Sequence, residues 1–189
     1  MGSLRMRGTG PVPSLLIAGS GGQGILFAGK FVAQAAMEEG MNVTWFPSYG
    51  AEVRGGTANC TVVISSGFIG SPIVSRPGIL VVMNQASMER FRGRLRPHGT
   101  LILNSSAVTA GKAERGVKVV AVPAGDIAFG MGAPLAANMV ICGALLRTAS
   151  ICTEAAMERA LTKLSARGGA EALAINKEAL KRGWRQLGD

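Results

Sequence analysis

Leu15-Leu-Ile-Ala-Gly-Ser-Gly-Gly-Gln-Gly24 is an apolar run that ends in a cluster of glycines. A helical pattern follows it, with apolar residues at Ile25, Ala28, Val32, Ala35 and Ala36, up to Glu39. The stretch reads as a strand, a tight turn and the first turn of a helix. Gly19, Gly21 and Gly24 match the spacing G-x-G-x-x-G. In that pattern the first glycine makes the turn, the second admits close backbone approach and the third lets the helix pack on the strand. The free N–H groups of the helix start, with the helix dipole, then face outward. Gly19, Ser20, Gly21, Gly22, Gln23 and Gly24 are therefore a candidate loop for an anion or a partner. A ligand-free βα turn has the same pattern, so the motif alone does not decide between them.

A dinucleotide site built on such a loop needs an Asp or Glu at the end of the second strand to hold the ribose. The second strand is expected over Asn42 to Phe46 and runs into Pro47-Ser-Tyr-Gly-Ala. The first acid beyond it is Glu52, inside a loop, so the ribose anchor is missing or displaced.

Gly40 ends the first helix as a glycine beyond a helix C-terminus should. Pro47 to Thr57 is a loop that mixes glycines with Tyr49, Glu52 and Arg54. Ala58 to Ser65 is a third strand. Ser66 to Val74 reads as a turn and a short extended piece, which leaves room for one antiparallel edge hairpin. Strands are expected at Ile79 to Met83, Thr100 to Leu103 and Val117 to Val122. Helices are expected at Gln85 to Leu95, Ala136 to Ala149, Thr153 to Ala166 and Glu171 to Leu187, with Thr153 as an N-cap. Strands alternating with helices, then helices alone, predict an α/β layered fold with a mainly parallel sheet and a helical C-terminus. Residues 14–189 form its single domain, and residues 1–13, polar with Gly and Pro, read as a flexible N-terminal arm without a signal-peptide core. Ligands of such sheets sit at the carboxyl ends of the strands. The loops after strands one and two both leave such ends, so they should lie together.

The net charge of +9 is concentrated in Arg90 to Arg96, in the C-terminal helix and in the arm. That balance suits an acidic partner or an anion. Nucleic-acid binding would want aromatics interleaved with the arginines; only Phe91 qualifies, and it is expected to face the core. The three cysteines, Cys60, Cys142 and Cys152, are widely spaced and make no cluster or zinc ligand set. They read as reduced, buried thiols of a cytoplasmic protein. The apolar stretch Ala133 to Leu146 holds Pro134 and Asn138 and is too short to span a bilayer. The single histidine, His98, sits between Pro97 and Gly99 and reads as a turn residue. No catalytic triad, P-loop lysine or metal cluster can be assembled. The glycine-rich edge with Tyr49, Glu52 and Arg54 looks like a surface that receives an anion or a partner.

Two motifs together carry a family resemblance. Gly-Ser-Gly-Gly-Gln-Gly at 19–24, followed by Ala28-Gly29, and Pro-Ser-Tyr-Gly-Ala-Glu-Val-Arg-Gly-Gly at 47–56 resemble the gamma subunit of 2-oxoacid:ferredoxin oxidoreductases. The likeness is greatest to the 2-oxoglutarate and branched-chain (ketoisovalerate) types and covers about Leu15 to Ala166. Ile79 departs from the Asp that often opens the fourth strand in the family. The resemblance implies a three-layer Rossmann-like fold. It implies a complex that converts a 2-oxoacid (2-oxoglutarate, 2-oxoisovalerate or pyruvate) to acyl-CoA and CO2 with reduction of ferredoxin. Thiamine diphosphate, Mg2+, iron–sulfur clusters and CoA belong to that whole complex. The expected partners are the alpha and beta subunits, a ferredoxin-like delta subunit where present, and ferredoxin through the complex, with no membrane and no nucleic acid. A homodimer of the isolated chain is compatible with an apolar partner face. No residue of this chain is assigned a catalytic or metal-binding role. The second loop, Ser48, Tyr49, Gly50, Glu52, Arg54, Gly55 and Gly56, is read as interface or CoA-proximal. Arg54 either receives a carboxylate or phosphate or orders the loop by pairing with Glu52. Tyr49 either anchors the interface or caps the core. The other reading of the chain is a stand-alone protein that binds a flavin or nicotinamide nucleotide.

Overall fold

A computed structural model describes residues 13–48, 57–112, 114–165 and 169–186 of the 189-residue chain. The sheet is built around β1 (Ser14–Ser20), whose five inner residues are all buried. The side chains of β1 alternate between two cores, as a two-residue period requires. Leu15 and Ile17 join the larger core, and Leu16 and Ala18 the smaller one.

The described residues form one sheet of six strands in the order β2-β3-β1-β4-β5-β6. The remaining strands are β2 (Asn42–Ser48), β3 (Thr57–Ser65), β4 (Ile79–Val82), β5 (Thr100–Asn104) and β6 (Lys118–Val122). β1, β4, β5 and β6 are parallel neighbours. β3 runs antiparallel to both β1 and β2 and lies between them, so β1 and β2 point the same way. An antiparallel edge pair is thus present, but β2 and β3 make it. The piece expected to form it, Ser66 to Val74, contains no strand. The reason is connection length. Only residues 49–56 separate β2 from β3, whereas a parallel return needs about a dozen or more.

The larger core lies under α1 (Ile25–Glu38), α4 (Ala137–Ala149), α5 (Glu154–Leu164) and α6 (Gly169–Arg185). On the other face α2 (Gln85–Phe91), a 3-10 turn at Arg92–Arg94 and the segment that carries Val108, Ala110 and Val117 cover a smaller core. Gly40 takes φ +77° directly after α1, as its place in the sequence requires. Thr153 caps α5 by accepting the Ala156 N–H at 3.3 Å. α3 (Ala124–Gly130) was not expected. Its glycines are poor helix formers, and its start is held by distant side chains: the Gly125 N–H donates to Asn104 Oδ1 at 3.1 Å and the Asp126 N–H to Ser106 Oγ at 3.0 Å. Phe91 is only 4% exposed and His98 sits in a turn at φ 57°, both as expected. Among the described residues no helix is long and apolar enough to cross a membrane. The N-terminal arm lies outside the described residues, apart from Pro13.

Candidate functional site

The site begins where β1 runs out. The Gln23 N–H donates to the Ser20 carbonyl at 3.2 Å, and the Gln23 side chain folds back so that its Oε1 accepts the Ser20 N–H at 2.7 Å. Asn84, at the end of β4, closes the turn from the neighbouring strand. Its amide nitrogen donates to Ser20 Oγ and, at 3.4 Å, to Gln23 Oε1. The same residue caps α2, since Asn84 Oδ1 accepts the Ser87 N–H at 2.8 Å. From α4, Asn138 Nδ2 donates to the Gly24 carbonyl at 3.3 Å. The turn is therefore fixed by its own Gln23 and by two residues distant in sequence, Asn84 and Asn138.

The glycines divide their work differently from the expectation. Gly22 and Gly24 hold positive φ, +87° and +68°. Gly19 is instead a packing residue: a Cβ there would lie 2.5 Å from Ile25 Cδ1 and 2.7 Å from Gln23 Oε1. A Cβ at Gly24 would meet Asn138 Nδ2 at 2.1 Å. Gly29 seats α1 on the sheet, since a Cβ there would be 2.3 Å from Cys60 Sγ and 2.9 Å from Trp45 Nε1. Gly21 and Gly22 are exposed.

No side chain caps α1, and its first turn has no acid. Its first intrahelical bond runs from the Ala28 N–H to the Gly24 carbonyl. The three amides before it have no carbonyl one turn back to bond to, and they carry the positive end of the helix dipole. The arrangement suits a carboxylate, a phosphate or a carbonyl of a partner.

Of the second candidate loop, Ser48 is described: it is the exposed last residue of β2. Tyr49, Gly50, Glu52, Arg54, Gly55 and Gly56 lie outside the described residues. The ends of the loop are fixed. Ser48 pairs with Asn59, and Thr57 pairs with Ser20, so the chain leaves and re-enters the sheet beside the glycine turn. Arg90 of α2 reaches this point, with Nη1 donating to Thr57 Oγ1 at 2.9 Å. Sequence reasoning missed Asn84, Asn138 and Arg90. Asn84 carried a readable signal, a cap residue between a strand and a helical pattern. Asn138 stood out only as a polar residue in an apolar run.

The thiols offer no nucleophile. Burial pushes Cys60 up to about 11 and Cys152 up to about 12, and raises Cys142 as well. Among the described residues no group of three or more His, Cys, Asp or Glu could hold a metal ion. These residues do not fit an iron–sulfur cluster or a Mg2+ site.

The sequence pattern of the family described as "Pyruvate ferredoxin/flavodoxin oxidoreductase" matches residues 14–186. The chain is 42% identical over 136 residues to the ketoisovalerate oxidoreductase subunit VorA of Methanothermobacter thermautotrophicus, which covers 72% of this chain and 28% of VorA. The chain thus spans less than a third of that relative's length. It is 33% identical over 148 residues to the 2-oxoglutarate synthase subunit KorC of Methanocaldococcus jannaschii, covering 77% of this chain and 79% of KorC. The gamma subunit of keto/oxoacid ferredoxin oxidoreductase from Geobacter sulfurreducens has the same fold, with a TM-score of 0.76 at 25% identity over 90% of this chain and 95% of that one. A family pattern that runs from β1 to the end of α6, with a solved gamma subunit of the same fold matched over 95% of its chain, places this chain in the pyruvate ferredoxin/flavodoxin oxidoreductase family as a gamma-type unit.

Proposed function

We propose that this chain is the gamma component of a 2-oxoacid:ferredoxin oxidoreductase. The complex decarboxylates a 2-oxoacid oxidatively, yields acyl-CoA and CO2, and passes the electrons to ferredoxin. The relatives' names support a branched-chain 2-oxoacid or 2-oxoglutarate as substrate. Thiamine diphosphate, Mg2+ and the iron–sulfur clusters supply the carbanion and electron-transfer chemistry on the alpha, beta and delta partners. The role of this chain is assembly, with its rim beside the CoA path.

The observation that carries this reading is the pairing of Ser20 with Thr57 next to the uncapped start of α1. It sets the ends of residues 49–56 beside the glycine turn, where the amides at the start of α1 and the side chain of Arg90 suit an acidic or carbonyl-bearing partner. The test is reconstitution. Arg54→Ala should leave the isolated chain folded and weaken co-purification with the thiamine-binding subunits, or turnover of the complex, by roughly tenfold, the scale of one lost charge-assisted contact. Unchanged assembly and turnover would remove Arg54 from the rim. A rise in melting temperature of the chain alone with a flavin or nicotinamide nucleotide would favour the stand-alone reading.

A further inference from the structure

Charge is distributed unevenly between the two faces of the sheet. Helices α1 and α3 to α6, with their caps, carry eight bases against seven acids. Many of these are paired: Glu38 with Arg159 and Lys163, Glu158 with Lys177 and Lys181, Glu178 with Arg182. Residues 74–118, which contain the whole α2 layer, carry eight bases against two acids. One acid, Glu114, lies 3.8 Å from Arg92; the other, Glu89, accepts from Gln85. Most of the +9 net charge therefore belongs to one thin layer.

Much of that layer gathers at the amino edge of the sheet, the edge opposite the glycine turn. Gly78 bonds to Ser14 at the start of β1, and Thr100 pairs with Lys118 at the starts of β5 and β6. Arg76, Arg115 and Lys118 are exposed there, and Arg96 lies half-buried along Gly78. Arg94 pins the adjoining segment, donating to the Val74 carbonyl at 2.8 Å and the Ser75 carbonyl at 3.3 Å. That segment presents two large apolar side chains to water, Phe68 at 94% and Ile73 at 76% exposure. Asn42 holds its other end through the Gly67 carbonyl at 3.0 Å.

We propose that this amino-edge surface docks a carboxylate-rich protein surface, with Phe68 and Ile73 as apolar anchors and Arg76, Arg96, Arg115 and Lys118 as the charged border. Aromatic and arginine side chains around an apolar centre are what protein interfaces enrich. Nucleic acid fits less well. The aromatic among these arginines, Phe91, is buried beneath Arg90 and Arg94, with their guanidinium carbons 5.5 and 5.8 Å from its ring centre. That leaves Phe68 as the exposed ring this surface offers, and one ring is no platform on which successive bases stack. The surface is additional to the glycine rim and does not depend on the assignment above.

The test is zero-length carbodiimide coupling in native extract, with the chain then isolated and its linked peptides sequenced. Lys118, and the exposed Lys112, which lies in the same basic layer with its carbonyl accepting from Arg92 at 3.3 Å, are expected to be joined to Asp or Glu of another polypeptide. The triple reversal Arg76→Glu, Arg115→Glu, Lys118→Glu should lower the yield of the remaining Lys112 link roughly tenfold, and wild-type coupling should fall steeply between about 0.05 and 0.3 M salt. Partners held at the glycine rim should still co-purify with that variant, which separates failure of this surface from failure of the proposed function. Coupling confined to acids of the same chain would overturn the inference. So would coupling unchanged by the reversal, or tight binding of duplex DNA by the wild type without links to protein.

Discussion

At the residue scale the glycine turn is decided by what a methyl group would strike. Gly22 and Gly24 share the left-handed conformation, but nothing lies within 4 Å of a Cβ at Gly22, whereas Asn138 Nδ2 lies 2.1 Å from one at Gly24. Gly22→Ala should cost about 1 kcal/mol, the conformational term alone. Gly24→Ala should cost about 2–3 kcal/mol, because it also displaces the Asn138 amide from the Gly24 carbonyl. Urea denaturation of both variants checks this. Asn138→Ala in the Gly24→Ala background should recover the steric part, so the two changes should be non-additive. Equal costs for the two alanines would show that Asn138 does not brace the turn. Sequence alone gave notice of residues whose partners are local: Gly40 after α1, and Thr153 three residues before the amide it caps. Asn104 and Asn138 act on backbone 21 and 114 residues away, and Asn84 on the side chains of Ser20 and Gln23, 64 and 61 residues away; no local pattern announces such bonds.

At the element scale the helices were legible and their crossings were not. The periodicity over 171–187 announced α6, which runs over Gly169–Arg185. Nothing in it marked how closely α6 approaches α4. A Cβ at Gly183 would lie 1.8 Å from the Val140 carbonyl oxygen, and one at Gly143 would lie 2.1 Å from that of Leu180. Both obstacles are backbone, so no rotamer change relieves them. On an exposed helix Gly→Ala stabilises by up to about 1 kcal/mol. Here the sign should reverse. Gly183→Ala should destabilise by about 3 kcal/mol, at the upper end of overpacking costs, by forcing the helix axes apart. Thermal unfolding gives the magnitude. Faster tryptic cleavage at Arg182 and Arg185 would locate the effect in α6. An increase in stability would mean that the two helices do not cross at these glycines. α3 shows the opposite failure of sequence reading: it begins after Pro123 and contains two glycines, poor helix formers, and side chains from the β5 end bond the amides of its first turn.

At the scale of the whole molecule, the antiparallel β3 follows from arithmetic that was available in the sequence. Eight residues between β2 and β3 leave no room for a crossover, and reversing β3 puts the end of β2 and the start of β3 on the edge that bears the glycine turn. The separation of charge was not available, because it depends on which helices share a face. It sets the response to acid. Glu38 is held below the ordinary glutamate range first by its hydrogen bond to Lys163 and then by that from Gln34. Glu158 is lowered by Lys177 and Lys181, and Glu178 by Arg182. A carboxylate whose native pKa lies below its unfolded one contributes stability that is complete above the unfolded value, about 4.3 for glutamate. The contribution is lost as pH falls through the lower native value, because the unfolded chain takes up protons first. Protonation also removes the compensation of the helical layer, so the excess positive charge spreads from one face to both. The melting temperature should therefore stay level from about pH 7 to 5 and decline below about 4.3. Glu38 joins the end of α1 to α5 through Arg159 at 3.3 Å and Lys163 at 2.7 Å. Glu38→Gln should lower the neutral-pH plateau and shrink the acid decline together. A variant with an unchanged plateau, or a decline as large as that of the wild type, would show that these ion pairs do not couple to folding.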